Sequence, residues 1–311
     1  MAAPVSIGLP VHNGEKYLPG SLESILAQTC RDFELLISDN ASTDGTQIIC
    51  HAYAARDERI RYYRQARNIG SARNFNAVFA LSRGVYFKWM AADDEIEPEF
   101  LARCVATLES DRKAVLAHPR AIIIDEFRKE TRSGTFRYEL ADLCAPRPSQ
   151  RLRDLFLYGS VYPIFGLIRS SALKKTPCFR SCIGADFCLL VDLLLQGKFA
   201  EVPEYLMKLR AHAGAYSCGV TTAIRSGRRD PARQVFWWDP EVRGTTVMPY
   251  WRRLREHFLS VVRSQTGMRE KAAMFSFLCH VGNWWRDKLC AEGRSAIFPS
   301  RRFENTSRPA I

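Results

Sequence analysis

The sequence lacks any apolar run long enough to cross a bilayer, which needs about 18 to 20 consecutive apolar residues. The longest apolar stretches of this 311-residue chain, such as residues 189–195, are interrupted by charge. A basic leader is also missing, since residues 1–4 carry no Lys or Arg and Val5–Val11 has the composition of a first core strand. These absences predict a protein that does not span a membrane and that works in the cytoplasm.

Paired CxxC motifs are absent, which argues against a structural zinc site. The ten cysteines are scattered along the chain, and even the closest group, Cys178, Cys182 and Cys188, lacks the paired spacing. A dense disulfide framework is typical of short secreted chains instead. We therefore expect free thiols in a reducing compartment.

Acidic residues are in deficit, with 33 Asp and Glu against 45 Lys and Arg and a formal net charge of +12. A basic surface attracts nucleic acid, anionic lipid or a polyanionic substrate, and charge alone does not choose among them. Arginines are dense between Arg225 and Arg255, where Trp237, Trp238 and Trp251 interleave with them. That mixture fits a membrane surface or a lipid-linked acceptor as well as it fits nucleic acid.

Apolar runs alternate with helical patterns through the first part of the chain. We predict strands at 5–11, 33–38, 60–64 and 85–90, and helices at 15–28, from about 44, at 71–81 and at 98–108. Further strands are predicted at 114–118 and 121–125, a loop at 128–150 and a buried helix at 187–196. The alternation indicates βαβ units, and hence an α/β fold with a mostly parallel sheet flanked by helices.

Polar residues concentrate where the first four predicted strands end. They are Pro10, His12 and Asn13 after the first strand, Asp39 and Asn40 after the second, Asn68 and Gly70 after the third, and Asp93 and Asp94 after the fourth. Ligands of open α/β sheets bind outside the carboxyl ends of the strands. The spacing therefore predicts one polar site at that edge of the sheet.

These motifs resemble the family-2 glycosyltransferases, which have the Rossmann-related GT-A fold. The resemblance rests on GLPVHNGE at 8–15, ISDNASTDGT at 37–46, NIG at 68–70 and ADD at 92–94, followed by GLIR at 166–169, GAD at 184–186 and RAH at 210–212. It covers roughly residues 5–217. It implies an inverting transfer of a sugar from a nucleotide-diphosphate donor, UDP- or dTDP-linked, to an acceptor hydroxyl, with Mg²⁺ or Mn²⁺ as cofactor.

The resemblance also implies a set of donor-binding residues. They are Pro10, His12, Asn13, Asp39, Asn68, Arg73, Asp93 and Arg210. Asp39 takes the role of contacting the nucleobase, where a carboxylate accepting an imide N–H makes a charge-assisted bond. The alternative for Asp39 is an Asx turn that closes a strand–helix loop. Arg73 and Arg210 are candidates for contact with the diphosphate.

Asp93, Asp94 and His212 are the metal ligands that the resemblance implies. Carboxylate oxygens suit Mg²⁺ and Mn²⁺, and the cation would neutralise the departing diphosphate. The family usually has Asp-x-Asp here, but the first position of this chain is Ala91. Either Asp93 suffices with diphosphate and water, or His212 adds a ligand, or metal dependence is weaker. The alternative is that Asp93 and Asp94 are only acidic residues that precede the following helix and interact favourably with the positive end of its dipole.

Asp186 is the candidate general base, because family members place an acidic residue just before an apolar helix in this part of the chain. An inverting transfer needs one carboxylate to accept the proton of the attacking hydroxyl. The family often has Glu-Asp, whereas this chain has Ala185 before Asp186. The alternative is an N-cap for the predicted helix.

A change of composition near residue 217 predicts a domain boundary. We expect a glycosyltransferase domain at 1–217, with donor binding at about 1–112 and the acceptor side at about 113–217. A basic, aromatic-rich helical extension follows at 218–298, and 299–311 is a disordered tail. The expected partners are a nucleotide-sugar donor, a carbohydrate or lipid-linked acceptor in surface polysaccharide or glycolipid synthesis, and the anionic inner face of the plasma membrane.

Three other functions compete with an active transferase. Ala91 in place of Asp suggests a nucleotide-sugar-binding protein that has lost catalysis. A sugar nucleotidyltransferase would have a Gly-rich loop with Arg or Lys after the first strand, and residues 10–15 do not resemble one. The hypothesis of a nucleic-acid-binding protein rests on net charge alone, since the sequence contains no recognised nucleic-acid-binding module. An active transferase accounts for the most residues, and we expect no nucleic-acid partner.

Overall fold

The computed structural model describes residues 5–131, 142–212, 238–241 and 248–297. The strands are β1 Val5–Val11, β2 Phe33–Asp39, β3 Ile60–Arg64, β4 Tyr86–Trp89, β5 Glu95–Ile96, β6 Ala114–Ile124, β7 Leu167–Arg169 and β8 Lys198–Arg210. The helices are α1 Leu18–Leu26, α2 Thr46–Ala54, α3 Ser71–Ala80, α4 Phe100–Ser110, α5 Pro148–Tyr158, α6 Ser170–Leu173, α7 Ala185–Leu194, α8 Pro249–Arg263, α9 Met268–Trp284 and α10 Arg286–Ile297. A 3₁₀ turn spans Tyr162–Phe165.

All eight strands form one mixed sheet in the order β3-β2-β1-β4-β7-β6-β8-β5. The strands β3, β2, β1 and β4 are parallel to one another, as the alternation of strands and helices predicts. β7 is antiparallel to both β4 and β6, whereas β6 and β8 are parallel. β1 is buried along its whole length, which is typical of a central parallel strand covered on both faces.

The loops after β1 and β2 are joined by polar hydrogen bonds. The Asn13 backbone N–H donates to Ser42 Oγ at 2.9 Å, and the Thr43 N–H donates to Asn13 Oδ1 at 2.8 Å. Asn13 has a φ of 54°, a left-handed conformation that Asn adopts more readily than most residues. Asp44 accepts from the Thr46 N–H at 3.0 Å and so serves the start of α2, close to the predicted position. These bonds fix the two loops that face the site.

β6 differs from the prediction of two strands at 114–118 and 121–125, because the structure has one strand across both. The register against β8 shifts between Pro119 and Arg120 and again between Arg120 and Ala121. A proline has no N–H for the ladder, so an irregularity at this point accommodates it. The predicted loop at 128–150 is also corrected in part, since α5 already begins at Pro148; residues 132–141 lie outside the described part.

The last three helices pack onto the sheet domain. Val261, Met274 and Leu278 are fully buried in the same apolar cluster as Leu189 and Leu190 of α7. These helices lie within the extension predicted for residues 218–298, which as a domain division stays a prediction. The proposed boundary at 217 and the tail at 299–311 lie outside the described residues and stay predictions. No helix among the described residues is long and apolar enough to span a bilayer.

Gly8 in β1 lies where no side chain fits. A Cβ at this position would lie 2.6 Å from Phe87 Cζ and 2.7 Å from Val78 Cγ2. We predict that Gly8→Ala lowers the free energy of unfolding by about 1–3 kcal/mol, the usual cost of overpacking. Urea denaturation followed by circular dichroism measures the change.

Gly293→Ala is the matched control, because a Cβ there has no heavy atom within 4 Å. Its position inside α10 predicts unchanged or slightly higher stability, by up to about 1 kcal/mol. Equal stability of the Gly8→Ala protein and the parent would contradict the close packing of β1 against α3 and β4.

Candidate active site

A cleft of about 480 Å³ opens at the carboxyl ends of the parallel strands. Of the predicted site residues, those lining it are Pro10, His12, Asn13, Asn68, Asp93, Asp94, Asp186, Arg210 and His212. Asp39 and Arg73 are not in its lining. Asn40, which the sequence places at this edge of the sheet, lines it as well. Residues that no prediction assigned to the site also face it, and among them are Tyr17, Asn74, Phe75, Tyr162, Phe165, Phe179 and Trp238.

Asp39, at the end of β2, is fully buried beneath the cleft. Its carboxylate accepts from the Ser42 N–H, from Tyr62 Oη and from Arg64 Nη1, each at 2.7 Å. Burial opposes ionisation of Asp39, but these hydrogen bonds outweigh burial and hold its pKa below the ordinary value. Asp39 therefore accepts from the backbone of its own loop, as the Asx-turn alternative predicts, and also forms an ion pair with Arg64.

Asn40 lies in the cleft beside the buried Asp39. Its side-chain amide donates to Asn68 Oδ1 at 2.9 Å and accepts from the Ile69 N–H at 2.8 Å. Asn68 also lies 3.4 Å from His12 Nε2. Asn40, Asn68 and His12 thus form one polar wall made from the loops after β1, β2 and β3. The position of Asn40 directly after a buried strand was the available signal in the sequence.

Asp93 and Asp94 follow β4 but have different environments. Asp94 is 6% exposed and accepts from the Arg210 N–H at 2.9 Å, and burial together with the neighbouring Asp93 raises its pKa well above the ordinary value. The Asp93 side chain is 31% exposed and its Oδ2 lies 3.0 Å from His212 Nε2. Asp93 and His212 therefore face the cleft together, while Asp94 supports the turn.

Arg210 ends β8 with its side chain 3% exposed. Nε donates to the Asp93 carbonyl at 2.9 Å, Nη1 to the Asp125 carbonyl at 3.0 Å and Nη2 to Glu95 Oε1 at 2.5 Å. The guanidinium is thus bound to the protein on three sides. These bonds hold the turn after β4 that contains Asp93 and Asp94, which we call the acidic turn. Because its donors are already used, Arg210 is poorly placed for the predicted contact with a diphosphate.

Tyr17 connects Arg210 to His212. Its ring centroid lies 4.5 Å from that of His212, and the Arg210 guanidinium lies 5.0 Å from the ring. Aromatic contacts of this kind hold an imidazole in one orientation. The imidazole of His212 is therefore held by Tyr17 on one side and by Asp93 on the other.

Arg73, on α3, is engaged in ion pairs and does not line the cleft. Its Nη1 lies 2.6 Å from Glu241 Oε2, and the side chain is 44% exposed. Arg67 contacts the same carboxylate, with Nη2 2.7 Å from Glu241 Oε1. The diphosphate contact predicted for Arg73 would require Glu241 to release it.

Asp186 lies in the first turn of α7 and faces the cleft. The N-cap is Gly184, in the left-handed conformation with a φ of 70°, so the alternative in which Asp186 caps the helix does not describe the structure. Burial raises the pKa of Asp186 above the ordinary value, and the positive charge of Arg253 opposes the shift. A carboxyl in such an environment suits a general base.

Lys88 is a buried cation that the sequence analysis missed. It lies within β4 and donates from Nζ to the Phe165 carbonyl at 2.5 Å. Burial lowers its pKa to about 7. This hydrogen bond joins β4 to the 3₁₀ turn that ends at Phe165, and Phe165 lines the same cleft as Asp186.

Asp93 and His212 can hold a divalent cation. No group of three or more His, Cys, Asp and Glu side chains with metal-site geometry occurs in the part of the chain that the structure describes. Mg²⁺ and Mn²⁺ sites that serve phosphate chemistry take one or two protein ligands and complete their shell with phosphate and water oxygens. A carboxylate and an imidazole 3.0 Å apart at the surface of the cleft fit that pattern. Ala91 supplies no side-chain oxygen, and Asp94 is turned inward.

The mixed sheet and the polar cleft define the GT-A class of glycosyltransferase folds. The chain superposes on Staphylococcus aureus TarS 1–349 in complex with UDP-GlcNAc with a TM-score of 0.65 at 15% identity, covering 93% of this chain and 79% of that one. For the mannosyltransferase PcManGT from Pyrobaculum calidifontis, in complex with GDP-Man and Mn²⁺, the TM-score is 0.52 at 14% identity, with 96% and 88% covered. These likenesses confirm the predicted fold.

Residues 6–175 match the family described as Glycosyl transferase family 2, and the chain belongs to that family. It is 35% identical over 124 residues to the putative glycosyltransferase EpsE of Bacillus subtilis, which is 40% of this chain and 45% of EpsE. It is 27% identical over 219 residues to the uncharacterized glycosyltransferase MJ1057 of Methanocaldococcus jannaschii, covering 66% of this chain and 70% of that protein. The predicted family membership is confirmed.

Removal of the Arg210 guanidinium tests its role in the site. We predict that Arg210→Met lowers the free energy of unfolding by about 3 kcal/mol, because Glu95 and two carbonyls lose a buried donor. Chemical denaturation measures the loss.

Arg103→Met is the matched control, since Arg103 is 51% exposed and contacts Glu99 and Glu204 at the surface. Its loss should change the free energy of unfolding by less than about 1 kcal/mol. Similar losses in both variants would show that the Arg210 network does not hold the acidic turn.

Proposed function

We propose that this protein is an inverting, metal-dependent glycosyltransferase that moves a sugar from a nucleotide-diphosphate donor to an acceptor hydroxyl. The observation that carries the proposal is that Asp186 and the Asp93–His212 pair face the same cleft. One group can accept a proton there, and the other can hold a cation against a diphosphate. A UDP- or dTDP-linked donor is the proposed substrate, as is a role in surface polysaccharide or glycolipid synthesis.

The donor occupies the polar wall formed by His12, Asn40 and Asn68 in this proposal. Its nucleobase is bound near the end of β2, where Asp39 and Arg64 form a buried ion pair with a distance of 2.7 Å. Contact between Asp39 and an imide N–H requires Arg64 or Tyr62 to release one carboxylate oxygen. The Arg64 side chain is 34% exposed and can move toward solvent.

Asp186 accepts the proton of the acceptor hydroxyl as its oxygen attacks the anomeric carbon. The bond between that carbon and the diphosphate oxygen breaks, and its electron pair leaves with the nucleoside diphosphate. A bound Mg²⁺ or Mn²⁺ supplies charge neutralisation for the leaving diphosphate. Asp93 and His212 would hold that cation, with Tyr17 keeping the imidazole in place.

The second candidate is a nucleotide-sugar-binding protein without catalysis. Ala91 lines the cleft and offers no side-chain oxygen, which is the specific observation in its favour. It predicts donor binding without turnover. The raised pKa of Asp186 and the paired Asp93 and His212 favour the active transferase, because a binding protein has no use for a base beside a cation site.

Release of nucleoside diphosphate from a panel of nucleotide sugars, with Mn²⁺, Mg²⁺ or EDTA, tests the proposal without a known acceptor. We predict release from one donor that EDTA abolishes. Asp93→Ala and Asp186→Ala should each lower the rate by about 100-fold or more, through loss of the cation site and of the base. Calorimetry should show that Asp186→Ala still binds the donor.

Asp32→Ala is the control, since Asp32 is exposed at the opposite end of β2 and should leave the rate unchanged. Donor binding by the parent with no release, even with candidate acceptors added, would favour the inactive binding protein. Absence of both binding and release would contradict both functions.

The pH profile tests Asp186 as the base. Because a base acts when deprotonated and burial raises the pKa of Asp186, the rate should fall on the acid side at a pH above the ordinary Asp value of 3.8. Arg253→Met removes the charge that opposes the shift, and the acid limb of kcat should move to higher pH. Arg255→Met, at a side chain that is 68% exposed, is the control. An acid limb that stays in place both in Arg253→Met and in Asp186→Glu would contradict Asp186 as the group that titrates.

A further inference from the structure

Exposed apolar side chains meet where the end of α5 lies beside the end of α9. Leu157 is 44% exposed and Trp284 54% exposed, and both line a shallow hollow of about 380 Å³ bordered by Arg153 and His280. Tyr158, next to Leu157, is 48% exposed. We call Leu157, Tyr158 and Trp284 the α5–α9 patch. Surface side chains of this size and number in one place usually mark an interaction site.

The patch is held in place by the fold. The Trp284 ring contacts Phe277 with 5.8 Å between centroids, and Phe277 contacts Phe156 at 5.6 Å. Phe156 in turn lies 4.9 Å from Phe187, the residue after Asp186. A rigid chain of rings therefore links the patch to the helix that carries the proposed base.

The patch also adjoins the cleft along the chain. Val161 and Tyr162 line the cleft, only three and four residues after Tyr158. Only Gly159 and Ser160 separate the patch from these cleft-lining residues along the chain.

The surrounding helices present positive charge because most of their acids face inward. Residues 249–294 contain nine Lys and Arg and four Asp and Glu. Glu256 pairs with the buried Arg180 at 2.9 Å, Glu270 accepts from the Ser149 N–H at 2.9 Å, and Glu292 accepts from the Tyr250 N–H at 2.9 Å. Only the fourth acid, Asp287, is fully exposed among them, at 94%.

Several cations of α8 and α10 are exposed, with side-chain exposures of 68% for Arg255, 47% for Arg263 and 71% for Arg286. Arg153, which is 57% exposed, borders the hollow that Leu157 and Trp284 line. Apolar and cationic side chains therefore lie together at the hollow, a combination that is complementary to the interface of an anionic bilayer. Aromatic side chains bind at the level of the head groups, and each nearby cation adds attraction to anionic lipid.

We propose that the α5–α9 patch docks this protein on an anionic lipid bilayer. Leu157, Tyr158 and Trp284 insert between head groups, and the outward arginines contact lipid phosphates. The Asp186 end of the cleft then faces an acceptor that is anchored in the same bilayer. This last consequence rests on the proposed function, whereas the docking itself does not.

Flotation with vesicles tests the docking. The parent protein should float with vesicles that contain phosphatidylglycerol and remain behind with vesicles of phosphatidylcholine alone. Binding should weaken in high salt, which screens the arginines. The variant Leu157→Ser/Tyr158→Ser/Trp284→Ser should bind anionic vesicles about tenfold more weakly and should release nucleoside diphosphate from the donor at the parent rate.

The matched control is Ile48→Ser/Val85→Ser, which removes two side chains that are 75% and 63% exposed elsewhere on the sheet domain. It should bind vesicles like the parent. If the triple variant does not fold, Arg153→Glu/Arg286→Glu gives a second test, with the same expected loss. Insertion of Trp284 should also shift tryptophan emission to shorter wavelength on anionic vesicles, and Trp284→Phe should remove that shift.

Vesicle binding that the triple variant and the charge variant retain would overturn the proposal. So would parent protein that binds no vesicle. A concentration-dependent dimer that the triple variant abolishes, without vesicle binding by the parent, would instead show an interface between copies of this chain. Because flotation needs no sugar donor, a failure of docking is distinguishable from a failure of the transferase proposal.

Discussion

The site depends on one buried guanidinium. Arg210 lies at the end of β8, and a cation so far from water requires partners on every side. It finds them in the Asp93 carbonyl of the turn after β4, the Asp125 carbonyl of the loop after β6 and the Glu95 carboxylate at the start of β5. The ends of three strands are thereby fixed relative to one another, and His212, two residues later, is brought within 3.0 Å of Asp93.

This constraint explains how two adjacent carboxyls acquire different roles. The backbone N–H of Arg210 binds Asp94, so that carboxyl is buried and its pKa rises. The side chain of Arg210 binds the carbonyl of Asp93 and leaves its carboxylate in the cleft. In the proposed cation site, His212 would supply the second ligand that Ala91 lacks. The pair would then come from two segments far apart in the chain, the turn after β4 and the end of β8, in place of the usual Asp-x-Asp spacing.

The sequence predicts well where a segment's own composition decides its structure. β1 and β3 have the predicted bounds, since apolar runs between turn residues form strands in most surroundings. β6 was divided wrongly, because a proline indicates a break unless a partner strand shifts register to accommodate it. Arg73 pairs with Glu241, which lies 168 positions away along the chain, so no local sequence pattern predicts the contact. The inward turn of Asp94 is equally a product of β8, far along the chain.

Two parts of the cleft differ in how they are built. One part consists of loops after parallel strands, joined by hydrogen bonds between backbone and short polar side chains such as Asn13 and Ser42. Such a hydrogen-bond network tolerates few substitutions, because each replaced group leaves a donor or acceptor without its partner. Another part is walled by packed rings: Phe179 is stacked on Trp238 with 5.8 Å between centroids, and the tilted ring of Phe75 lies 4.8 Å from that of Phe179. Apolar walls accept changes of shape at a modest cost. A change in the volume of one of these rings should therefore disturb the cleft less than the loss of a hydrogen-bonding side chain from the loops after β1 and β2.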